Sequence, residues 1–443
     1  MYEEYFQLTR ENIAKYGQET IVLLQCGDFY EIYGTINPDT GDIIDSQMAV
    51  ITEHCSLATS KKGHFYQERE LMMAGCNLIA IEKYLQQMVE FGYTVCIYVQ
   101  TDDYCKTTKK KVRKLDSVHS PSTYITFDTS DKTQQTSNHV MCIWLETAFS
   151  TRHVNKMVYG VAVLNSYNGQ TSMYETMTDA KIHATTFDEL DKIVSIYRPK
   201  ECILITNKEH DSEEDKILRH AVSQNSGLSQ HLPNTKIHAF NTKDIICKKC
   251  SKQTYIQQIL NAKFGDECFQ QCREFVQYTI ATQAFCFLLH FIEERNSSLI
   301  KHIYMPVFHN VSQRMHLANH TLRQLNILSD DSEDGKKMGN LNSVHSFLNK
   351  CCTGIGKRRF QYLITHPCFD EQWLSTEYDM MDHIINTTDS TVLMLSQRKV
   401  LSHVCDMEKI SKQISFQKIF PSTVHNWYKS LLKTEQLFNC FAE

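Results

Sequence analysis

Two residues near the amino terminus, an aromatic ring and a carboxylate, have the spacing of a recognition site. Phe29 and Glu31 follow an apolar run, Ile21 to Leu24, and a Gly27-Asp28 break. Because side chains alternate between the faces of a strand, Phe29 and Glu31 are predicted to project in the same direction. A flat ring beside a carboxylate suits a site that stacks on one planar group and hydrogen-bonds to its edge. An aromatic-rich strand with one solvent-facing Glu is also an ordinary structural pattern, so the residues alone leave both interpretations open.

Positive charge is concentrated at residues 106–114, shortly after the first candidate site. The six basic side chains of this run are Lys106, Lys109, Lys110, Lys111, Arg113 and Lys114. A charge run is usually a solvated face. Clustered Lys and Arg also bind phosphates by releasing counterions, with an affinity that falls as salt rises. Because the net charge of the whole chain is −5, any contact with nucleic acid must come from a local patch such as this one.

Four cysteines form a candidate metal site. They are arranged as a C-x2-C pair, Cys247 and Cys250, and a C-x3-C pair, Cys268 and Cys272, with 17 residues between the pairs. Four thiolates at such spacing could complete a tetrahedral zinc site. However, cysteine is abundant, with 17 in the chain, and the second pair is predicted to begin an apolar helix. We therefore expect no metal centre. The alternative is a zinc site formed by these four cysteines.

The elements predicted around these residues divide the chain into an α/β part followed by an all-α part. Residues 1–125 are predicted to form a small mixed α/β domain, which begins with a helix at 3–16 and ends with a strand at 93–99. A polar linker covers 126–138, a second α/β domain 139–245 and a helical domain 246–443. In the second domain, Asn168-Gly169 predicts a hairpin turn, and Thr186-Phe187-Asp188-Glu189 predicts a helix that starts with a capping box.

Composition favours a globular protein inside the cell. Hydrophobic residues make up 42 % of the 443 residues and charged residues 22 %, which are ordinary values for a folded chain. The chain has no apolar run of ~18 residues, and its amino terminus lacks the pattern of a signal peptide, so we expect no membrane association. An odd number of scattered cysteines fits free thiols in a reducing compartment better than a disulfide framework.

Several motifs, in order along the chain, resemble the MutS family of DNA mismatch-repair proteins. Gly27-Asp28-Phe29-Tyr30-Glu31 resembles the Gly-Asp-Phe-Tyr-Glu signature of the amino-terminal mismatch-binding domain, and Met73-Ala74-Gly75 resembles its Met-Ala-Gly. Arg358 and Asp406-Met407-Glu408-Lys409 resemble later motifs of the family core. Cys76-Asn77-Leu78 departs from the usual Ile-Pro-Tyr-His. The similarity spans nearly the whole chain and indicates a divergent branch.

The resemblance implies a fold and a function. It implies a mismatch-binding domain, a ribonuclease H-like connector domain and a helical core or lever domain that is incomplete at residue 443. It also implies that Phe29 wedges beside a mispaired base while Glu31 hydrogen-bonds to that base, with Asp28 and Tyr30 completing the DNA-binding motif. The expected function is recognition of mispaired or looped duplex DNA, wherever DNA is replicated: the cytoplasm, the nucleus, an organelle or a viral factory.

The resemblance further implies partners and a cofactor. The expected partners are an identical or different MutS-like subunit in a dimer and a downstream MutL-like factor. ATP and Mg²⁺ are implied for a carboxy-terminal ATPase domain that this sequence lacks. The run Thr353 to Arg358 superficially resembles a phosphate-binding loop, but Cys351 stands at the first Gly position, and Arg358 stands where Ser or Thr must bind magnesium. We therefore expect no enzymatic activity from this chain, and a sequence that is a fragment or part of a split gene.

Three other functions stay open. A relative that binds branched DNA without a wedge is one, although such relatives lack the Phe-x-Glu pair. A scaffold that binds a repair partner without mismatch specificity is another. The ribonuclease H-like fold also invites a nuclease interpretation, for which Glu146 and Glu175 are the candidate metal-binding carboxylates. No set of acids at strand ends supports a nuclease, and a shared fold does not establish function.

Overall fold

In the computed structural model, mixed sheets occupy the amino-terminal part of the chain and helices the carboxy-terminal part, which confirms the predicted order of α/β before all-α. The structure describes residues 1–104, 111–125, 138–148, 156–183, 185–209, 212–226, 228, 235–301, 303–308, 319–328, 341–386, 398–415 and 419–442. The chain forms two compact units. The first comprises Met1–Thr126 with Asn234–His238 and His290–Ile300, and the second Phe127–Pro233, Ala239–Leu289 and Lys301–Glu443. The predicted domain boundaries stay a prediction.

The strands are numbered in chain order. They are β1 Thr20–Cys26, β2 Phe29–Ile36, β3 Ile43–Ile44, β4 Thr59–Tyr66, β5 Arg69–Asn77, β6 Thr94–Tyr104, β7 Lys111–His119, β8 His139–Ala148, β9 Lys156–Asn165, β10 Thr171–Asp179, β11 Glu201–Thr206, β12 Lys236–Asn241 and β13 Val307–Phe308.

The helices are numbered in the same way. They are α1 Tyr2–Tyr16, α2 Met48–Cys55, α3 Ile81–Glu90, α4 Asp188–Tyr197, α5 Glu213–Asn225, α6 Ile245–Cys250, α7 Gln253–Phe264, α8 Cys268–Gln271, α9 Glu274–Gln277, α10 Thr279–Arg295, α11 Ser297–Ile300, α12 Asn319–Gln324, α13 Val344–Leu348, α14 Gly354–Thr365, α15 Glu371–Asn386, α16 Met407–Ser415 and α17 Pro421–Ala442. Among the described residues, none of these helices is both long and apolar enough to cross a membrane.

A twisted mixed sheet forms the centre of the first unit. Its strand order is β4-β5-β2-β1-β6-β7, with β3 paired to β2. Strand β1 is antiparallel to β2 and parallel to β6. Helix α1 covers one face with Tyr5 and Phe6, both nearly fully buried, and packs near the buried Leu24 and Tyr33. Burying side chains of this size contributes about 1.5–3 kcal/mol each, so the core fixes the two central strands on which the candidate site lies.

A buried lysine joins a distant segment to this unit. The Lys236 side chain is 7 % exposed, and its ammonium group donates to the carbonyl oxygens of Glu19 (3.2 Å) and Gly92 (3.4 Å) and to Thr94 Oγ1 (3.1 Å). A buried ammonium group requires such partners because its desolvation is costly. The three hydrogen bonds of Lys236 therefore hold residues 235–238 beside the start of β1 and β6.

A second sheet has the strand order β12-β11-β8-β9-β10-β13. Strands β8, β9 and β10 are successive antiparallel neighbours, and β11 runs parallel to β8. The predicted hairpin turn at Asn168-Gly169 is confirmed, because the Gly169 N–H donates to the Asn165 carbonyl (2.8 Å) and Gly169 has a φ of +78°. Gly160 of β9 faces helix α10, where an added Cβ would lie 2.2 Å from Ala281 N, so only glycine fits there.

Two local predictions are wrong. The strand predicted at 93–99 is not the last of the first unit, because β7 follows it and pairs antiparallel with β6. The basic character of residues 111–114 obscured this edge strand. The predicted capping box is absent, since Thr186 Oγ1 accepts from the His183 N–H (2.8 Å) and α4 starts after Phe187 without a side-chain cap. The Thr186 hydroxyl is therefore bonded within a local turn instead of capping α4.

Candidate nucleic-acid interface

A two-residue turn places Phe29 at the exposed end of the central hairpin. Strands β1 and β2 are joined by Gly27 and Asp28, with Cys26 opposite Phe29. Gly27 has a φ of +61°, a conformation that favours glycine and matches the tight turns of two-residue hairpins. Phe29 is 50 % exposed although it belongs to a regular strand, and Asp28 is exposed beside it. The apolar ring therefore stands at the tip of the sheet rather than in the core.

Phe29 and Glu31 lie two residues apart in β2 and so share one face of the strand, as predicted. The Glu31 side chain is only 14 % exposed, and it lies between the half-exposed Phe29 and the fully buried Tyr33. Tyr30 projects from the opposite face and is partly buried. Burial raises the pKa of Tyr30, and the nearby negative charge of Asp116 raises it further. The face that can stack and accept a hydrogen bond is thus formed by Phe29 and Glu31.

The two oxygens of the Glu31 carboxylate have different partners. The hydroxyl of Tyr33 donates a hydrogen bond to Oε2. The Lys62 ammonium nitrogen lies 3.7 Å from Oε1, and the Lys62 side chain is 29 % exposed. Sequence reasoning missed both partners. Tyr33 continues the same alternation as Phe29 and Glu31 and could have been found by it, whereas Lys62 comes from β4 and depends on the register of the sheet.

A glycine opposite Glu31 allows the neighbouring strand to pack closely against this residue. Gly75 of β5 is the register partner of Glu31, and an added Cβ there would lie 2.6 Å from the Tyr30 carbonyl oxygen and 3.5 Å from Glu31 Cγ. The first distance is shorter than real Cβ contacts, and the atom it meets is backbone. Gly75, the last residue of the Met-Ala-Gly motif, therefore allows β5 to approach β2 closely at this point.

A second exposed apolar side chain stands beside the hairpin tip. Asn77 is the register partner of Phe29, and the Leu78 N–H donates to the Asp28 carbonyl (3.0 Å). Asn77 Oδ1 accepts from the Ile79 N–H (3.0 Å), which turns the chain so that Ile79 is 92 % exposed. Sequence reasoning missed this residue. Together with Phe29 it makes the tip of the sheet apolar at its surface.

The predicted basic run is only partly within the described residues. Lys106, Lys109 and Lys110 lie outside them, while Lys111, Arg113 and Lys114 belong to β7. Lys111 and Lys114 are exposed, which fits a contact with phosphates. DNA binding by the residues of this run stays a prediction.

Arg113 differs from its neighbours because its side chain is 7 % exposed. Its Nε donates to the Gln25 carbonyl (3.1 Å), its Nη2 to Cys26 Sγ (3.6 Å), and its Nη1 lies 3.5 Å from Glu4 Oε2. These contacts hold the end of β1 immediately before the Gly27-Asp28 turn. The guanidinium group thus has partners within the protein, so its geometry supports positioning of the hairpin.

The structure does not bring the four zinc-candidate cysteines together. Cys247 and Cys250 are buried on α6, whereas Cys268 Sγ lies against Met305 Sδ (3.7 Å) and Cys272 Sγ donates to Glu274 Oε2 (3.3 Å). Burial raises the pKa of the Cys250 thiol to about 12 and that of Cys272 to about 11, so both thiols are protonated at neutral pH. Across the described part of the chain, no group of three or more His, Cys, Asp or Glu has the arrangement of a metal site. The two pairs thus lie in separate packing environments, and the zinc alternative stays a hypothesis.

The two nuclease-candidate carboxylates have structural partners. Glu146 Oε1 accepts from Trp144 Nε1 (2.9 Å), and Glu175 Oε2 accepts from the Ala281 N–H (2.9 Å) at the start of α10. Burial raises the pKa of Glu175, although hydrogen bonds from Ala281 and Ile280 counteract the rise. A carboxylate at a helix amino terminus is stabilised by the unpaired N–H groups there. The geometry accounts for Glu175 as a helix cap.

The residues that superficially resemble a phosphate-binding loop have hydrogen-bond and ion-pair partners within the protein. Thr353 Oγ1 accepts from the Gly356 N–H (3.1 Å) and caps α14, and Arg358 is paired with Asp406 and Glu408. An added Cβ at Gly356 would lie 3.0 Å from Thr353 Oγ1, so Gly356 permits close packing, as predicted.

Comparison with known protein families decides the identity of the chain. Residues 3–128 match the family model described as MutS domain I, and residues 320–443 match that described as MutS domain III. The chain belongs to the MutS family. The domain I match contains the whole Phe29 and Glu31 site, and the domain III match contains the helices from α13 to α17.

Curated relatives align along most of this MutS-family chain. A putative DNA mismatch repair protein MutS homologue of Acanthamoeba polyphaga mimivirus is 23 % identical over 96 % of the chain, which covers 38 % of that relative. The DNA mismatch repair protein MutS of Caldanaerobacter subterraneus is 22 % identical over 95 % of the chain and 41 % of the relative. A mitochondrial DNA mismatch repair protein MutS homologue of Sarcophyton glaucum is 23 % identical over 85 % and 39 %. The chain thus spans about two fifths of the length of these relatives.

Proposed function

We propose that this MutS-family chain recognises mispaired or looped duplex DNA by inserting Phe29 beside the mispair while Glu31 hydrogen-bonds to the displaced base. The observation that carries the proposal is the 50 % exposed ring of Phe29, held at the tip of a two-residue hairpin on the same strand face as a carboxylate. Exposure of an apolar ring to water is unfavourable. A ring in this position can instead insert between stacked bases of a duplex.

The energetics of wedging account for selectivity. Unstacking a base step costs a few kcal/mol, and the cost is lower where a mispair already weakens the stack. Discrimination then comes mainly from the deformability of the duplex rather than from reading the edges of paired bases. Glu31 adds one directional contact, because an ionised carboxylate accepts hydrogen bonds and is selective for N–H groups of the base edge.

In this proposal the DNA backbone is bound through its phosphates by Lys106, Lys109, Lys110, Lys111 and Lys114. Such contacts position a protein on DNA without reading its sequence. Arg113 is assigned to the hairpin instead, since its guanidinium group contacts Gln25 and Cys26. Phe29 lies on β2, whereas Lys111 and Lys114 lie on β7 of the same sheet, so their effects on binding are separable by mutation.

The proposal also includes a connector domain, partner proteins and a cellular location. The order β10-β9-β8-β11-β12, with β11 parallel to β8, supports a ribonuclease H-like connector domain. We retain as predictions a dimer with an identical or different MutS-like subunit, a MutL-like partner, ATP and Mg²⁺ bound outside this chain, and an intracellular location at sites of DNA replication. The relatives named as viral and mitochondrial mismatch-repair proteins support that location.

A binding titration with Phe29→Ala tests the proposal. Fluorescence anisotropy would measure the affinity of the wild-type chain and the variant for a duplex with one mispair or an unpaired loop and for the matched duplex. The wild type is expected to prefer the mispaired or looped duplex, and Phe29→Ala to bind all duplexes weakly and equally. Salt-sensitive binding is expected to persist, because the basic run is unchanged.

Phe91→Ala is the matched control. Phe91 is 52 % exposed in the same unit but stacks on His54, with ring centroids 4.1 Å apart, at the end of α3. This variant is expected to keep the mismatch preference. Unchanged discrimination in Phe29→Ala would contradict the wedge. Wild-type preference for a four-way junction would favour the branched-DNA alternative, and absence of DNA binding would favour a partner-binding scaffold.

A further inference from the structure

We propose that Tyr33 is a positioning residue of this site, whose buried hydroxyl holds the Glu31 carboxylate so that one defined oxygen is presented to the base. This inference rests on the proposed function and adds a residue to it. The relationship that carries it is the hydrogen bond from Tyr33 to Glu31 Oε2, made on the strand face that also carries Phe29.

Tyr33 is fixed by its surroundings. The side chain is fully buried, and its ring packs edge to face against Tyr2 and Tyr5, with centroids 5.2 Å and 5.1 Å away. Its hydroxyl lies 3.7 Å from Cys26 Sγ, next to the hairpin turn. A phenol confined in this way has one orientation, so the position of its oxygen defines the position of the carboxylate it contacts.

The hydroxyl also stays a donor at working pH. Burial raises the pKa of Tyr33 well above its ordinary value, and the hydrogen bond to Glu31 raises it further. A neutral phenol has a single O–H, whereas an ionised carboxylate has only acceptors. Hydrogen bonds to a charged group are stronger than those between neutral groups, so the pair keeps the rotamer of Glu31 with little competition from water.

The remaining oxygen, Oε1, is the one available to a ligand. In the structure it lies 3.7 Å from Lys62 Nζ, and the Glu31 side chain is 14 % exposed. An ionised carboxylate at this position accepts a hydrogen bond from an N–H of the base, on a ring nitrogen or an exocyclic amine. That base replaces Lys62 at Oε1, while Tyr33 keeps Oε2 in both states.

The test is the substitution Tyr33→Phe, which keeps the ring and removes the hydroxyl. The measured quantity is the ratio of affinities for mispaired and matched duplexes. We expect the ratio to fall by about threefold to tenfold, which corresponds to the net contribution of one typical intramolecular hydrogen bond. In a Glu31→Ala background, Tyr33→Phe is expected to change the ratio by less than about twofold, because the group that it positions is absent.

Tyr5→Phe is the matched control. It removes a hydroxyl from the same aromatic cluster, and that hydroxyl is buried near the Tyr33 backbone, Thr9 and Ser46 rather than at the Glu31 carboxylate. Its affinity ratio should equal that of the wild type. Circular dichroism and thermal unfolding of each variant verify that the fold is retained.

The outcomes separate this inference from the function on which it rests. An unchanged ratio in Tyr33→Phe, or an equal fall with and without Glu31, overturns the positioning role while Phe29→Ala still abolishes the preference. An equal fall in Tyr5→Phe also overturns it, because the cause is then the packing of the cluster. If the wild type has no preference for mispaired or looped duplexes, or if Phe29→Ala retains it, the proposed function itself fails.

Discussion

Arg358 places its two terminal nitrogens on the two carboxylate oxygens of Asp406, with both distances at 2.7 Å, and Nη2 also lies 2.6 Å from Glu408 Oε2. The Arg358 side chain is 10 % exposed and that of Asp406 19 %. Burial alone raises the pKa of Asp406, but the hydrogen bonds from Arg358 outweigh that effect and lower it. The pair therefore stays ionised and joins the start of α14 to the start of α16.

Removal of this guanidinium is expected to destabilise the second unit. Arg358→Ala leaves two carboxylates close together without a cation, and breaking a largely buried pair from one side costs about 3 kcal/mol. Urea unfolding would measure the loss of free energy. Arg359→Ala is the control, because Arg359 is exposed and lies over the ring of Tyr362 at 5.6 Å. Equal stability of the two variants would contradict a structural role for the pair.

These residues also show how far the sequence predicts the structure. Arg358 and Asp406 were recognised as parts of two separate motifs, but their contact spans 48 positions and follows only from the packing of helices. Phe29 and Glu31 were predictable because strand alternation is a local property. The contact of Lys62 with Glu31 was not, since it requires the order β4-β5-β2. Local periodicity thus located the site, and tertiary pairing supplied its contact with Lys62.

Gly75→Ala is expected to displace Glu31 from its position in the sheet. The added methyl would lie 2.6 Å from the Tyr30 carbonyl, so β5 must move away from β2 at the register position of Glu31. Overpacking of this kind costs about 1–3 kcal/mol and should also reduce the preference for mispaired DNA. Thermal unfolding and anisotropy titration measure the two effects. Ser60→Ala, an exposed position on β4, should change neither. A variant with wild-type stability and preference would show that the close approach is unnecessary.

Combined replacement of Lys109, Lys110 and Lys111 by Ala tests the backbone grip. Each lost phosphate contact lowers the slope of log affinity against log salt by about 0.9, so the slope should fall by roughly 2–3. Both mispaired and matched duplexes should lose affinity alike. The control removes the same charge from the exposed Lys248, Lys249 and Lys252, and its salt slope should equal that of the wild type. A selective loss for mispaired DNA would place these lysines at the mispair instead.

Acid should destabilise the second unit through a buried histidine. His139 packs edge to face on Tyr197 at 5.2 Å, and its Nδ1 has no hydrogen-bond partner among the described residues. Burial lowers its pKa to about 4, so the unfolded chain binds a proton between pH 6.5 and 4 that the folded chain does not. Its stabilising contribution is therefore complete above pH 6.5 and is lost as the pH falls towards 4.

The size of this loss is measurable by urea unfolding at two pH values. Between pH 7.5 and 5, the pKa difference predicts a loss of about 2 kcal/mol from His139. Burial also lowers the pKa of His345, which adds a change of the same sign. His139→Phe keeps a ring against Tyr197 and should reduce the pH dependence by about 2 kcal/mol, whereas His220→Phe, at an exposed position of α5, should leave it unchanged. Equal pH dependence in His139→Phe and the wild type would show that folding does not lower the pKa of His139, because the folded and unfolded chains would then bind the same number of protons at this residue.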